Sequence, residues 1–384
     1  MSGQKEKNKF WPILENLYAG AAPEGQNEYI KLNKEKFIEV LSKIISLDDL
    51  VSIKIKTIEL KDIIINYKKD QETLLNINSN GNTVSLRKDV LISEINQILK
   101  AKTLERAKHY LKRLKKGIQE TKTSKINDIN LARWKEYDEI ITDSLWIFDK
   151  RDTSGVHLGW YWGNFIPQIP RQIMLRYTKN GDWVLDAFVG SGTTLIECRR
   201  LGRNGIGIEL NPEVAEKARE LVEKEENKYN VITEIVIGDS RTINIQAILD
   251  KHKINRFQLL IMHPPYYDII KFSKSENDLS NARSLEEFLK MFGEVVDNTA
   301  PYLEKGRYFA LVIGDKYSKG EWIPLGFYCM NEVLKRGYLL KSIIVKNFEE
   351  TRGKRNQKEL WRYRALAGGF YVFKHEYIML FQKI

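Results

Sequence analysis

The stretch Asp182-Trp-Val-Leu-Asp186-Ala-Phe-Val-Gly190-Ser-Gly192-Thr-Thr194 decides the fold. It reads as a short apolar strand, a glycine turn and the start of a helix, since Trp183 to Phe188 is apolar apart from Asp186 and Thr194 to Leu201 is helix-forming. Gly190 and Gly192 permit tight backbone geometry and close approach of a ligand. Outward from this turn the pattern repeats. Gly205 to Glu209 is a second strand and Glu213 to Glu226 a second helix. Further strands are expected at Glu234 to Ile237, Gln258 to Met262, Tyr308 to Ile313, Ser342 to Val345 and Tyr377 to Phe381. Alternation of this kind implies an α/β fold with a mostly parallel sheet and helices on both faces. Ligands of such sheets bind beyond the carboxyl ends of the strands.

Three classes of glycine loop compete for this turn. A phosphate-binding loop needs a lysine after its second glycine, where Thr193 and Thr194 stand. A dinucleotide fingerprint wants a third small residue where Leu195 stands. The third class binds S-adenosylmethionine, and Asp186 favours it, because a carboxylate suits a cationic ligand and repels pyrophosphate. Glu209 closes the second strand, placed to accept ribose hydroxyls. Asp239, with Ser240, closes the third, where a carboxylate can accept an adenine amino group. Cofactor contacts are therefore expected from Asp186, Phe188, Gly190, Gly192, Thr193, Glu209, Asp239 and Ser240.

The fourth strand ends in His263-Pro264-Pro265-Tyr266. Paired prolines stop a strand and leave carbonyls without ladder partners. Such a carbonyl, with His263, can accept hydrogen bonds from an aryl-type amine and aim its lone pair at a methyl donor. Tyr266 offers a face for a flipped base, a contact worth about 1–3 kcal/mol in comparable cases.

Together these residues resemble the DNA amino-methyltransferases that modify adenine N6 or cytosine N4. Their cofactor motif, DPFxGSGTT, is matched from Asp186 to Thr194 except at Ala187, and their Pro-Pro-Tyr motif at Pro264 to Tyr266. A phenylalanine-proline motif is matched loosely by Asn164-Phe165-Ile-Pro167, which adds Phe165 to the expected cofactor contacts. His375 to Gln382 resembles the last strand of the catalytic domain. The resemblance covers about residues 155 to 384. It implies a class I methyltransferase sheet of seven strands with one antiparallel strand near its edge. It also implies S-adenosylmethionine as cofactor and His263, Pro264, Pro265 and Tyr266 as the catalytic turn. Motif order resembles the adenine-modifying gamma group, so adenine N6 is preferred. His263 replaces the usual Asp, Asn or Ser and does not name the base. Cytosine N4, an RNA guanine-N2 methyltransferase and an inactive DNA-binding module are the alternatives.

The chain has 384 residues, 42% of them hydrophobic and 29% charged, with a formal net charge of +11. That excess suits a polyanionic partner. Ten Lys/Arg against two Glu lie between Lys100 and Lys125, and nine against three between Lys341 and Lys374. Lys112, Arg113, Lys115 and Lys116 from the first cluster are candidate contacts to double-stranded DNA. Arg352, Lys354, Arg355, Arg362 and Arg364 from the second are also candidates, with Trp361 and Tyr363 between them. Residues 1–150 are expected to form an N-terminal α+β domain for target recognition, and 151–384 the catalytic domain. Within the first, Leu32 to Ile45 reads as a helix, and Val51, Ile53 and Ile55 as a strand. A hairpin is expected about Asn80-Gly81, and one long helix from Leu91 to Ile118. No apolar run is long enough for a membrane helix. Two cysteines without metal spacing fit a reducing cytoplasm and no metal. A cognate restriction endonuclease, and a monomer or homodimer, are the remaining expectations about partners.

Overall fold

The computed structural model describes residues 28–66, 82–347 and 358–384. The chain divides into two compact units, 1–125 with 129–139, and 126–128 with 140–384.

The first unit begins with β1 (Tyr29–Asn33), α1 (Lys34–Ile45) and α2 (Leu50–Ile65). It continues with β2 (Thr83–Arg87), α3 (Lys88–Leu99) and α4 (Leu104–Gln119). The stretch from Val51 to Ile55 is helix, not strand. Asp49 caps it by accepting from Ser52 N, and its buried residues are Ile53, Thr57, Leu60 and Ile64. That three-and-four spacing outweighs the two-residue alternation at its start, where Val51 is 67% exposed. The long helix expected from Leu91 to Ile118 is two helices. α3 ends at Leu99, and Thr103 starts α4 by accepting from Arg106 N. Strand β2 pairs antiparallel with β1, and the turn expected at Asn80-Gly81 lies outside the described residues. Phe37, Leu41, Ile53, Ile95 and Leu111 meet in the unit's core.

The second unit holds an eight-stranded sheet. Its elements are β3 (Leu145–Trp146), α5 (Gln168–Tyr177), β4 (Trp183–Asp186), α6 (Thr193–Leu201), β5 (Asn204–Glu209), α7 (Pro212–Lys224) and β6 (Thr233–Ile237). There follow α8 (Ile245–Lys251), β7 (Phe257–Met262), α9 (Leu285–Thr299) and β8 (Leu303–Ile313). A small hairpin, β9 (Lys316–Ser318) with β10 (Glu321–Ile323), leads to α10 (Leu325–Lys335), β11 (Leu339–Asn347), α11 (Lys358–Gly368) and β12 (His375–Gln382).

The sheet order is β3-β11-β12-β8-β7-β4-β5-β6. Strands β6, β5, β4, β7 and β8 are parallel, and β12 is antiparallel to both of its neighbours. From β11 to β6 this is the seven-stranded sheet the motifs imply. The sequence reading omitted the eighth strand, Leu145–Trp146, which adds itself parallel to β11 and is only two residues long. The apolar run of β7 shows how the sheet is buried. Leu260 and Met262 enter one core with α8, α9 and α10, while Leu259 and Ile261 enter the other with α5, α6 and α7. Helices thus cover both faces, and the carboxyl ends of β4, β5, β6 and β7 open on one edge.

Candidate active site

A cavity of about 1100 Å³ lies at those strand ends. The glycine loop forms one part of its wall and the Pro-Pro-Tyr turn another.

The loop is built by hydrogen bonds that it donates to neighbouring acids. Asp186 is 1% exposed and accepts from Phe188 N at 2.9 Å and from the Thr194 hydroxyl. Burial pushes its carboxyl pKa up to about 6, against the pull of those two donors. Gly190 takes φ +50° and donates its N–H to Glu209 Oε2 at 3.0 Å. Glu209 Oε1 accepts from Asn211 N at 2.9 Å, and burial raises this carboxyl also. Ala187 donates its N–H to the Ile261 carbonyl, which a proline at this position could not do. The one departure from the cofactor motif therefore ties the glycine loop to β7, the strand that leads into the Pro-Pro-Tyr turn.

The expected cofactor residues divide by direction. Phe165, Phe188, Gly190, Thr193, Glu209, Asp239 and Ser240 line the cavity. Asp186 and Gly192 do not. Asp186 shapes the loop from beneath, and a Cβ on Gly192 (φ +82°) would stand 2.8 Å from Val222 Cγ2 on α7. Gly192 thus lets α6 approach α7. Asp239 is held by Arg241 at 2.7 Å, and Ser240 donates to the Ala187 carbonyl at 2.6 Å.

His263, Pro264, Pro265 and Tyr266 stand on the same cavity. The His263 ring lies 5.0 Å from that of Phe165 and edge-on to Tyr266. Burial holds its pKa down to about 4, with Glu376 pulling upward and Lys346 pushing downward. The imidazole is therefore neutral at physiological pH and able to accept a hydrogen bond. Tyr266 donates to Glu376 Oε2 at 3.3 Å, and its ring packs on Gly314.

Further residues line the cavity. Asn164 donates to Ser191 Oγ at 2.6 Å and receives Arg151 at 2.9 Å, bracing the glycine loop. Phe272, from the loop after the Pro-Pro-Tyr turn, stacks on Tyr161, which packs on Gly190. Tyr161 belongs to the aromatic run Trp160-Tyr161-Trp162, and Asn164 to the loosely matched phenylalanine-proline motif. Lys346 and Glu376 carried no functional signal of their own.

Of the basic candidates in the first unit, Arg113 is bound to Glu94 at 2.6 Å and to Gln97 at 2.7 Å. Lys116 lies 3.7 Å from Glu120, Lys112 is exposed, and Lys115 is half-buried. Arg362 and Arg364 are exposed on α11, with Arg364 over the Trp361 ring. Arg352, Lys354 and Arg355 lie outside the described residues.

A family model described as DNA methylase matches residues 21–220. The chain belongs to this N6/N4 DNA methylase family. S-adenosylmethionine is the family's methyl donor, and the cavity suits it. Gly190 gives it a close backbone wall, and two buried, raised carboxyls behind and beside that wall would be stabilised by its positive charge. Among curated relatives, the type II methyltransferase M.MjaII of Methanocaldococcus jannaschii is 43% identical over 65 residues, 17% of this chain and 12% of that protein. M.HpaI of Haemophilus parainfluenzae is 44% identical over 63 residues, 16% of this chain and 20% of that protein. M2.DpnII of Streptococcus pneumoniae is 50% identical over 54 residues, 14% of this chain and 20% of that protein. The matches thus span an eighth to a fifth of these relatives' length. The solved structure of TrmN from Thermus thermophilus superposes with a TM-score of 0.37 at 15% identity, over 57% of this chain and 49% of that one. Among the described residues, no group of His, Cys, Asp or Glu could hold a metal ion, and no helix is long and apolar enough to cross a membrane.

Proposed function

We propose that this chain transfers a methyl group from S-adenosylmethionine to an exocyclic amine of a base in double-stranded DNA, with the target base flipped into the cavity. The observation that carries this reading is the single cavity shared by the glycine loop and the Pro-Pro-Tyr turn. When bound, the cofactor supplies a methyl group activated by the sulfonium beside it. Glu209 lies where ribose hydroxyls could donate to it, and Asp239 where an adenine amine could. Phe165 and Phe188 add apolar walls, and Thr193 sits at the N-terminus of α6. Asp186 organises the loop from beneath.

On the substrate side, the base stacks on Tyr266 while the Pro264 carbonyl and the neutral His263 accept from its amine. Those acceptors localise the lone pair on nitrogen and stabilise the positive charge that develops there as the N–C bond forms and the S–C bond breaks. The displaced amine proton leaves to His263 or to solvent. Pro265 completes the rigid turn. Adenine N6 is the preferred target, on the order of the two motifs.

DNA is held by charge. Lys112, Lys115 and Lys116 offer phosphate contacts on the first unit, read here as the target-recognition domain, and Arg362 and Arg364 offer them on α11. Helix α11 keeps Leu360, Tyr363 and Leu366 exposed at 42%, 69% and 72%, an apolar surface beside cationic residues that suits a groove. A restriction endonuclease of the same specificity is the partner suggested by relatives named as type II methyltransferases.

The test is transfer of tritiated methyl from labelled cofactor to duplex DNA, followed by nucleoside chromatography. Label in N6-methyladenine supports the reading in full, and label in N4-methylcytosine changes the base. Label in RNA alone overturns it.

A further inference from the structure

Strands β11 and β12 set Lys346 and Glu376 directly opposite one another. Lys346 Nζ lies 3.0 Å from Glu376 Oε1, and the two side chains are 6% and 5% exposed. Burying such a pair costs desolvation that mutual attraction offsets only in part, so stability is a weak reason for it. Its position supplies a better one. Both residues line the cavity with His263 and Tyr266. The other carboxylate oxygen, Glu376 Oε2, accepts from the Tyr266 hydroxyl. Across the ring stands Gly314, where a Cβ would come within 3.1 Å of Tyr266 Cε2. The ring is therefore gripped at its hydroxyl and seated against bare backbone.

We propose that Glu376, oriented by Lys346, is a positioning residue that anchors the Tyr266 hydroxyl and so fixes the ring as the wall on which the target base stacks. The proposal rests on the reading of the Pro-Pro-Tyr turn given above. A phenylalanine would offer the same stacking face. It would lack the anchor, and the base would have to order the ring as it bound. The consequence falls on substrate engagement, while cofactor binding at the glycine loop is untouched.

The test is a cycle of variants. Tyr266→Phe keeps the face and removes the anchor, and kcat/KM for duplex DNA should fall about tenfold, the worth of a hydrogen bond to a charged group. Glu376→Leu, which leaves the hydroxyl no partner on this side chain, should fall by a similar factor. In the double variant the second change should add less than about twofold, since both remove one interaction. Losses that multiply overturn the proposal, as does wild-type kcat/KM in Tyr266→Phe. Glu376→Leu alone leaves Lys346 buried without its carboxylate and could unfold. The pair replacement Lys346→Met/Glu376→Leu avoids this, because apolar isosteres of buried ion pairs are usually tolerated. It should bind S-adenosylmethionine with wild-type affinity in calorimetry and show the same tenfold loss on DNA. Full activity in this variant overturns the proposal.

A crystal structure of Lys346→Met/Glu376→Leu reads the ring independently of activity. A ring displaced from Gly314 is expected, and an unmoved ring overturns the proposal. If the wild type methylates no DNA while the ring is displaced in the variant, the assigned reaction is wrong and the anchor stands.

Discussion

Acidification should leave methyl transfer intact well below the pH at which an ordinary histidine charges. The perturbation is a pH titration of the single-turnover rate with cofactor and DNA saturating, so that binding and product release drop out. In the proposed reaction His263 must be neutral to accept from the target amine, and its cation would repel the charge developing on that nitrogen. At an ordinary pKa of about 6.5, roughly three-quarters of the imidazole would be charged at pH 6. With the pKa held down to about 4 by burial, only about 1% is charged at that pH. The rate should therefore stay flat from pH 8 to about 5 and reach half its plateau near pH 4. Folding sets a limit on the same axis. A base whose folded pKa is depressed stabilises the fold above its unfolded pKa and loses that contribution as pH falls toward the folded value. From about 6.5 to about 4 the loss is at most about 3 kcal/mol. Urea melts at each pH would identify any point where unfolding, not protonation, lowers the rate. Lys346→Met provides the internal control. It leaves Glu376 uncompensated beside His263, so the acid limb should move to higher pH. A wild-type limb centred near 6.5, with the protein folded, refutes the reasoning.

Asp186 gives the opposite sign. Its folded pKa of about 6 lies above the unfolded value. The contribution of Asp186 to the stability of the cofactor-free protein should therefore be greatest below about pH 4 and fall by roughly 3 kcal/mol as pH rises through 6. Asp186→Asn should remove that slope from urea melts, and should also flatten the rise in cofactor affinity that calorimetry is expected to find between pH 5 and 7. Gly192→Ala forces a side chain into φ +82° and a Cβ to 2.8 Å from Val222. A destabilisation of about 3 kcal/mol is expected, seen as a melting temperature lower by several degrees; an unchanged melt would mean that α6 can shift away from α7 freely. The basic residues of α4 should also separate. Lys112→Ala should lower the slope of log affinity against log salt by about one. Arg113→Ala should chiefly destabilise its own unit, because Glu94 and Gln97 already hold that guanidinium. Equal slope changes for the two would contradict this assignment.

The eight-stranded sheet was legible because its strands are buried on both faces. A run such as Phe257 to Met262 has no polar alternation to confuse with an amphipathic helix, and each such run ends at a turn signal. The first unit resisted the same reading. Val51, Ile53 and Ile55 alternate with polar residues, yet only Ile53 is buried, and the helix shows itself only when Leu60 and Ile64 are added. The break between α3 and α4 was missed for a related reason. Ile98, Ala101 and Leu104 keep the helical spacing across the gap, and the one mark of the break is the capping Thr103. Strand Leu145–Trp146 is too short to have a period at all.

The site divides along a different line. Its motif residues are close in the chain, so their chemistry could be read without knowing the fold. The direction in which each side chain points could not. Asp186 and Glu209 are the same kind of residue at the same kind of place, the last position of a parallel strand. One is shut beneath the loop by Thr194 and the Phe188 amide, and the other reaches the cavity from the side. Gly190 and Gly192, two residues apart, serve a ligand wall and a helix contact respectively. Glu376 is harder still, since it meets Tyr266 across 110 residues of chain, inside a strand otherwise read as core. A lone glutamate before an apolar run is ordinarily a solvated strand end. What makes it functional is the register that places Lys346 opposite it, and register belongs to the pairing of two strands, not to either sequence alone. Chemistry written in contiguous residues is therefore recoverable from one chain, whereas chemistry created by strand pairing becomes visible only once the sheet is assembled.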